Sequence, residues 1–285
     1  MNQSINFSWH RFALCFRKEI RENKKKWVWR AVSVYGILAL LLVINYSYTL
    51  YLPTYYWEQN IFKELVQSVI LTSLQYFFIM FLFFGAFSSS QMMEGMNRKT
   101  SRILLLMTPA TSFEKYITRW LLSVFLCLPF LLVLFQLADL TRYFFTLCFF
   151  SEHYQVPPFT VWHYLIEGEH GAGACESVVQ CFCITSFVLF IHSLFALGST
   201  LWTRQVLTKT FAAVFILLVL YVGFSVLLFT WIIDEETIVA TPSFVQDWEE
   251  KHVCLLISLF CWLGMLFHWV LGYYRFKESE IINRW

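Results

Sequence analysis

Charged residues are scarce in this chain, and their scarcity excludes an ordinary soluble domain. Aspartate, glutamate, lysine and arginine make up 14% of the 285 residues, whereas hydrophobic residues make up 58% and aromatic residues 20%. Soluble domains carry about 25% charged residues because their surfaces face water. Here the deficit is concentrated in long uncharged runs, which are typical of segments that lie in lipid.

Motifs of catalysis and of nucleotide binding are also lacking. The sequence contains no HExxH, no GxSxG nucleophile elbow, no pair of intramembrane aspartates and no GxxxxGK[ST] loop. Its eight cysteines form no CxxC pair of the zinc-finger or redox type. We therefore expect a chain that is not an enzyme, holds no cofactor or metal, binds no nucleic acid and does not bind ATP in the P-loop manner.

Six long apolar runs dominate what is present. They cover about residues 28–50, 65–87, 120–139, 178–200, 211–233 and 253–274. A helix that rises 1.5 Å per residue needs about 20 residues to cross the hydrocarbon core, and a helix satisfies its own backbone hydrogen bonds in lipid. The predicted fold is an all-α integral membrane protein, with a segment 1–27 before the six transmembrane helices and a tail 275–285 after them.

Basic residues are distributed unevenly between the two sides of these spans. Of the 21 lysines and arginines, 18 lie in the segments on one side of the spans. The other three are Lys63, Arg142 and Lys251. Because basic loops stay in the cytoplasm, both termini are predicted to be cytoplasmic. We also predict that no Asp, Glu, Lys or Arg lies in the middle of a span, which disfavours ion-coupled transport.

The segment before the first span is predicted to be an interfacial amphipathic helix. Trp9, Phe12, Phe16 and Ile20 would share an apolar face that lies in the headgroup layer, with the basic side chains near anionic lipid. A solvated basic tail that only orients the first span is the alternative.

The predicted cytoplasmic loop 88–119 contains a helix-start signal. Thr111 and Glu114 have capping-box spacing, and Pro109 lies just upstream, so a helix is expected to begin near Thr111 and to run into the third span. Pro129 is expected to kink that span. The segment before this start is interpreted as a docking surface, although it could also be a helix start and nothing more.

Polar residues within the spans form faces. Ser68, Thr72 and Gln75 share one face of the second helix, and Thr185, His192 and Ser199 share one face of the fourth. Such faces favour close helix contact. A bundle interior, a subunit interface and a translocation path all remain open. His192 and His268 are interpreted as packing residues.

The predicted outer loop 140–177 gives weaker signals. Its histidines and glutamates, His163, Glu167, Glu169 and His170, could ligate a metal, but a solvated acidic loop is favoured. The spacing of Cys148 and Cys175 allows a disulfide without requiring one, and Cys181 is interpreted as a packing residue.

One string carries a family resemblance. Residues 106–116, Leu-Met-Thr-Pro-Ala-Thr-Ser-Phe-Glu-Lys-Tyr, resemble the "LP-A-(S/T)-x-x-EK" pattern of the permease subunits of ABC-type exporters, the ABC-2 class, with Thr108 as an extra residue. The tail 273–278 and the six-span topology are also similar to bacterial six-span members. The longer outer loop here lies between the third and fourth spans, which departs from the family.

The resemblance implies a permease in the bacterial inner membrane that forms a homodimer, or a heterodimer with a second permease, and docks on two cytoplasmic ATP-binding subunits. ATP would then bind to the partner and not to this chain. The resemblance places the coupling surface at Glu94, Arg98, Lys99, Arg102, Pro109, Thr111, Ser112, Glu114, Lys115 and Arg119. A sensor, assembly factor or immunity protein that transports nothing is the alternative.

Overall fold

The computed structural model describes residues 7–51, 59–96, 99–149, 158, 178–202, 204–232 and 250–281. These residues are almost entirely helical, and no strand occurs among them. Their α-helices are α1 (Trp9–Tyr51), α2 (Gln59–Ser90), α3 (Lys99–Leu106), α4 (Ser112–Trp120), α5 (Cys127–Phe149), α6 (Val178–Leu201), α7 (Val206–Ile232) and α8 (Glu250–Ile281).

Six helical segments within these ranges are long and apolar enough to cross a membrane. They involve α1, α2, the continuous α4–α5 segment, α6, α7 and α8. The prediction of an all-helical protein with six membrane-spanning helices is therefore confirmed in helix type and in the number of candidate spans.

The first span and the segment before it form a single helix. α1 runs for 43 residues from Trp9 to Tyr51, so a separate interfacial helix is not supported. Arg11, Cys15 and Glu19 lie four residues apart, and each interacts with the region of α4. The N-terminal part of α1 thus packs against protein, which holds it in line with the span.

The capping box at Thr111 is confirmed. Glu114 N–H donates to the Thr111 hydroxyl at 3.2 Å, and Thr111 N–H donates to the Glu114 carboxylate at 2.9 Å. These bonds satisfy two backbone donors that would otherwise lack partners at the helix start.

A π-helical turn connects α4 to α5. It covers Leu121–Phe125, and Leu126 N–H donates to the carbonyl of Leu121 at 2.9 Å. Pro129 has no N–H to donate to Phe125, and its ring would crowd that carbonyl in a regular helix. A wide turn one helical turn before Pro129 relieves this conflict, so the predicted disturbance takes the form of a π-bulge.

The chain divides into two compact units. One unit contains α1, nearly all of α2, α4 and α5, and the other contains α3, nearly all of α6, and α7 and α8. In the first unit, α1 and α4–α5 run parallel, because their contacts follow the same order along both helices: Arg11 with Glu114, Trp27 with Phe130, and Tyr46 with Arg142.

Helix α2 runs antiparallel to both of these helices. The Asn45 side chain donates to the Val69 carbonyl at 3.4 Å, and the Arg30 guanidinium lies 5.5 Å from the centre of the Phe87 ring. Two aromatic contacts between α2 and α5 also follow opposite chain order in the two helices. Phe77 contacts Phe135, and Phe84 contacts Phe130. This alternation is the arrangement expected of three consecutive membrane spans.

In the second unit, α6 and α8 run parallel. Phe182 stacks on Trp262, and further along both helices the Ser193 hydroxyl lies 2.9 Å from His268 Nδ1. Gly198 on α6 is in tight contact with Thr210 near the start of α7, where a Cβ atom would overlap the threonine side chain.

Candidate functional site

The carboxylate of Glu114 joins the starts of two helices. Its Oε2 atom accepts from Thr111 N–H within the capping box, and its Oε1 atom accepts from Ser8 N–H at 2.8 Å. Ser8 directly precedes α1, and its carbonyl accepts the first helical bond, from Phe12 N–H. One carboxylate therefore caps both α4 and α1, in the position where helix dipoles favour negative charge.

Arg11 completes this arrangement, which we call the Glu114 clamp and define as Ser8, Arg11, Thr111 and Glu114. Arg11 Nη2 lies 3.1 Å and Nε lies 3.3 Å from Glu114 Oε1. The Glu114 side chain is fully buried, whereas that of Arg11 is 25% exposed. Because the carboxylate accepts at least three hydrogen bonds, its burial is compensated.

A second charged contact lies along the same pair of helices. Arg119 Nε is 3.7 Å from Glu19 Oε1, and both side chains are mostly buried. Beside the clamp, the rings of Phe7, Trp9 and Phe113 form an aromatic cluster with centroid separations of 5.1 Å and 6.1 Å from Phe7. The α1–α4 junction is therefore held by charge and by ring packing together.

The predicted coupling residues fall into different environments. Glu114, Lys115 and Arg119 are buried, so their side chains are held inside the protein and are not presented to a partner. Glu94 and Pro109 are exposed, and Arg102, Thr111 and Ser112 are half-buried. The backbone of Lys99 lies in α3, and Arg98 lies outside the described residues.

The exposed apolar surface of this loop lies on and just after α3. Ile103 is 54%, Leu104 65% and Met107 75% exposed, whereas Leu105 is buried. The sequence prediction missed these three residues, because it selected charged and capping residues. The apolar run 103–107 in an otherwise polar loop was the signal for them.

The predicted interfacial residues are only partly covered. Phe12 stacks on Phe16 and both are half-buried, whereas Trp9 is 76% and Ile20 is 40% exposed.

The two predicted polar faces also differ. On α2, Ser68 and Gln75 are exposed and Thr72 is half-buried, so this face is open at two of its three positions. The α6 face is more enclosed, since His192 and Ser199 are buried and Thr185 is half-buried.

Sequence reasoning missed the polar contact between α6 and α8. The Ser193 hydroxyl lies 2.6 Å from the Phe190 carbonyl and 2.9 Å from His268 Nδ1, and Ser193 is fully buried. The ring of His268 also contacts the ring of Phe190, with centroids 5.2 Å apart. His268 thus joins two helices, as a packing residue does.

The predicted end of the third spanning helix at Asp139 needs correction, because the helix continues past Asp139 and Arg142. α5 continues to Phe149, so both residues lie within the helix and Arg142 is not in an outer loop. Arg142 Nε lies 2.6 Å from Asp139 Oδ1, and both side chains are fully buried. The Arg142 guanidinium also lies 5.3 Å from the centre of the buried Tyr46 ring on α1.

The remaining predictions concern cysteines and metals. Cys148 is a free thiol, so it is not paired with Cys175, and Cys181 is disulfide-bonded and not a simple packing residue. No group of three or more His, Cys, Asp or Glu side chains that could hold a metal occurs within the described ranges. The candidate ligands between His163 and His170 lie outside those ranges.

Together, these features define a class, a helical multi-pass membrane protein in which a buried carboxylate ties the start of the first spanning helix to the start of the third. No family model matches the chain, and no curated protein or solved structure matches it either.

Proposed function

We propose that this chain is the membrane-spanning permease subunit of an ATP-driven exporter of the ABC type, coupled to a separate ATP-binding subunit. The Glu114 clamp is the observation that carries the proposal. The string that resembles ABC-2 permeases contains Glu114, and this residue bonds the loop between the second and third spans to the start of α1. A force applied to that loop therefore acts on two spanning helices at once.

The lengths of the clamped helices support this mechanical role. α1 has 43 residues, which corresponds to about 64 Å at 1.5 Å per residue, whereas the hydrocarbon core is about 30 Å thick. α1 and the parallel α4–α5 segment therefore extend beyond the membrane together, and Arg11 and Glu114 join them at that extended end. Displacement there would pass along both helices into the bilayer.

Two observations support a cytoplasmic location for the clamp. The basic residues cluster on the side that carries Arg11, and basic segments remain in the cytoplasm. Cys181 is disulfide-bonded and lies near the start of α6. This end of α6 is predicted to lie on the side of the membrane opposite the cytoplasm. Disulfides persist in oxidising compartments and are rare in the cytoplasm.

The exposed face of α3 is the surface best suited to dock the ATP-binding subunit. The same loop presents exposed apolar side chains at Ile103 and Leu104 on this short helix and at Met107 just after it. Exposed apolar groups of this kind mark protein or membrane contacts. In this account α3 provides docking, whereas the buried Glu114 transmits movement and does not touch the partner.

The exposed polar face of α2 supports pairing with a second permease copy. Gln75 is exposed near the middle of the second predicted span, where lipid cannot satisfy an amide. Polar side chains in this position commonly bond across helix–helix contacts. A Gln75→Cys chain in a Cys-free background should form a disulfide-linked dimer in native membranes. A Leu40→Cys chain serves as the control, because Leu40 is also exposed and lies near the middle of the first predicted span.

Docking and transmission can be separated by two variants and a control. Leu104→Glu with Met107→Glu should abolish co-purification of the ATP-binding subunit, because it places charge on the docking face. Leu14→Glu, at a residue that is 52% exposed on α1, should leave it intact. Glu114→Gln should retain the partner but uncouple its ATP hydrolysis from transport.

The outcomes distinguish the assignments. If the Leu104→Glu, Met107→Glu variant binds the partner as the unmodified chain does, the docking assignment is wrong. If no ATP-binding partner binds any version, a non-transporting membrane protein is favoured.

A further inference from the structure

A single exposed stripe on α1 changes from basic to apolar along its length. Arg17, Arg21 and Lys24 are followed at the same helical spacing by Val28 and Val32, and all five are exposed. Residues three and four apart lie on one face of a helix, so these side chains form a continuous row. We call Arg17, Arg21 and Lys24 the basic ridge.

The acidic residues of the same segment lie on a different face. Glu19 and Glu22 continue the helical series that begins with Arg11 and Cys15, which lies away from the basic ridge. Glu19 packs toward α4 and is paired with Arg119 at 3.7 Å, whereas Glu22 is exposed and lies 3.9 Å from Lys18. The face that carries the basic ridge is therefore exposed and holds charges of one sign.

We infer that the basic ridge, continued by Val28 and Val32, is a binding surface for an anionic phospholipid. The ridge would hold the headgroup phosphate, and the two valines would contact the upper part of an acyl chain. From Lys24 to Val32 the helix rises about 12 Å, which carries the row from the headgroup layer into hydrocarbon. Basic residues immediately before a spanning helix are attracted to anionic lipid by about 1 kcal/mol each.

The order of residues favours a lipid over an acidic protein surface. An acidic protein would complement the three basic side chains, but it would not extend along the same row into the first span. A phospholipid has the matching order of groups, because its negatively charged headgroup is followed by a hydrocarbon chain. This inference requires only that α1 spans the membrane and does not depend on the proposed exporter function.

The test measures lipid retention by the purified full-length chain. The protein is delipidated in mild detergent, incubated with mixed micelles of phosphatidylglycerol and phosphatidylcholine, and analysed for bound lipid by native mass spectrometry. The ridge variant is Arg17→Gln, Arg21→Gln and Lys24→Gln. The charge-matched control is Arg204→Gln, Lys209→Gln and Lys277→Gln, at three exposed basic residues elsewhere.

The ridge variant should lose its preference for phosphatidylglycerol by at least about tenfold, since each basic side chain contributes a factor of about five. The control should stay within about twofold of the unmodified chain. A Val28→Ser and Val32→Ser variant should bind both lipids more weakly without changing the preference. Soluble glycerol phosphate should not displace the lipid, because it lacks the acyl part.

Three results would overturn the inference. The ridge variant could keep its preference, the control could lose as much as the ridge variant, or glycerol phosphate could displace the lipid completely. Loss of a bound protein with unchanged lipid retention would instead identify the ridge as a protein interface. Circular dichroism and gel filtration of each variant check that a loss of lipid does not reflect unfolding.

Discussion

At the scale of single residues, the buried carboxylates of Glu114 and Asp139 have different structural roles. Glu114 accepts hydrogen bonds from the starts of two helices, and its cationic partner Arg11 remains partly in water. Asp139 instead forms a fully buried pair with Arg142 three residues later on the same helix. The first carboxylate joins segments that are distant in sequence, whereas the second neutralises a charge within one helix.

This difference predicts how the Asp139–Arg142 pair responds to substitution. Asp139→Asn or Arg142→Gln alone should lower the free energy of unfolding by about 3 kcal/mol or more, because each leaves a buried charge without its counterpart. Replacing both, with Asp139→Leu and Arg142→Met, should cost less than either single change, since no charge then remains buried. Unfolding by sodium dodecyl sulfate in mixed micelles, followed by circular dichroism, measures all three.

A double variant that is less stable than both single variants would contradict a purely electrostatic coupling of the pair. It would show instead that Asp139 and Arg142 make separate polar contacts that apolar side chains cannot replace.

Sequence reasoning identified Glu114 but misplaced Arg142, for a physical reason. A capping box is a local pattern within four residues, so Thr111 and Glu114 revealed it directly. The charges of Asp139 and Arg142 instead interrupt the apolar run, so hydropathy alone predicts a span that ends near residue 139. The buried guanidinium of Arg142 packs against Tyr46 on α1, a contact with no local signal in the sequence.

At the scale of helices, the close approach of α6 and α7 depends on one glycine. A Cβ atom at Gly198 would overlap the Thr210 side chain, whereas a Cβ atom at Gly36 on α1 would meet nothing within 4 Å. Both glycines lie within helices, so an alanine at either position has the same intrinsic helical advantage over glycine.

The two alanine variants should therefore separate in stability. Gly198→Ala should be less stable than Gly36→Ala by at least about 1 kcal/mol, because overpacking costs about 1–3 kcal/mol. Adding Thr210→Ala to the Gly198→Ala chain should restore most of the loss. The thermal unfolding temperatures of the three chains are compared in one detergent. Equal stabilities of the Gly198→Ala and Gly36→Ala chains would show that the contact between α6 and α7 accommodates the methyl group.

Helix type and helix number were predictable from composition, but helix boundaries were less so. The six apolar runs predicted the six candidate spans, since length and hydropathy suffice for that. The continuity of α1 was not predicted, because its first third is amphipathic and strongly basic. That segment becomes part of the long helix by packing against α4, which is a tertiary effect.

At the scale of the whole molecule, the proposed orientation places the far end of α5 on the side of the membrane opposite the cytoplasm. Cys148 is exposed, carries a free thiol and lies near the end of α5 that is remote from Glu114. A membrane-impermeant maleimide should therefore label it in intact cells, and Cys148→Ser should remove that part of the label. Labelling of Cys148 only after the membrane is permeabilised would reverse the proposed orientation.

The claim that this chain is driven by a partner ATPase is tested most directly by the activity that purifies with it. The full-length chain is solubilised from native membranes through an affinity tag, and ATP hydrolysis and subunit stoichiometry are measured on the isolated complex. We predict an ATP-hydrolysing subunit in a fixed ratio to this chain, and we predict its loss in the Leu104→Glu, Met107→Glu variant. A pure, stable chain with no nucleotide-hydrolysing partner, from membranes that retain its cellular activity, would contradict it.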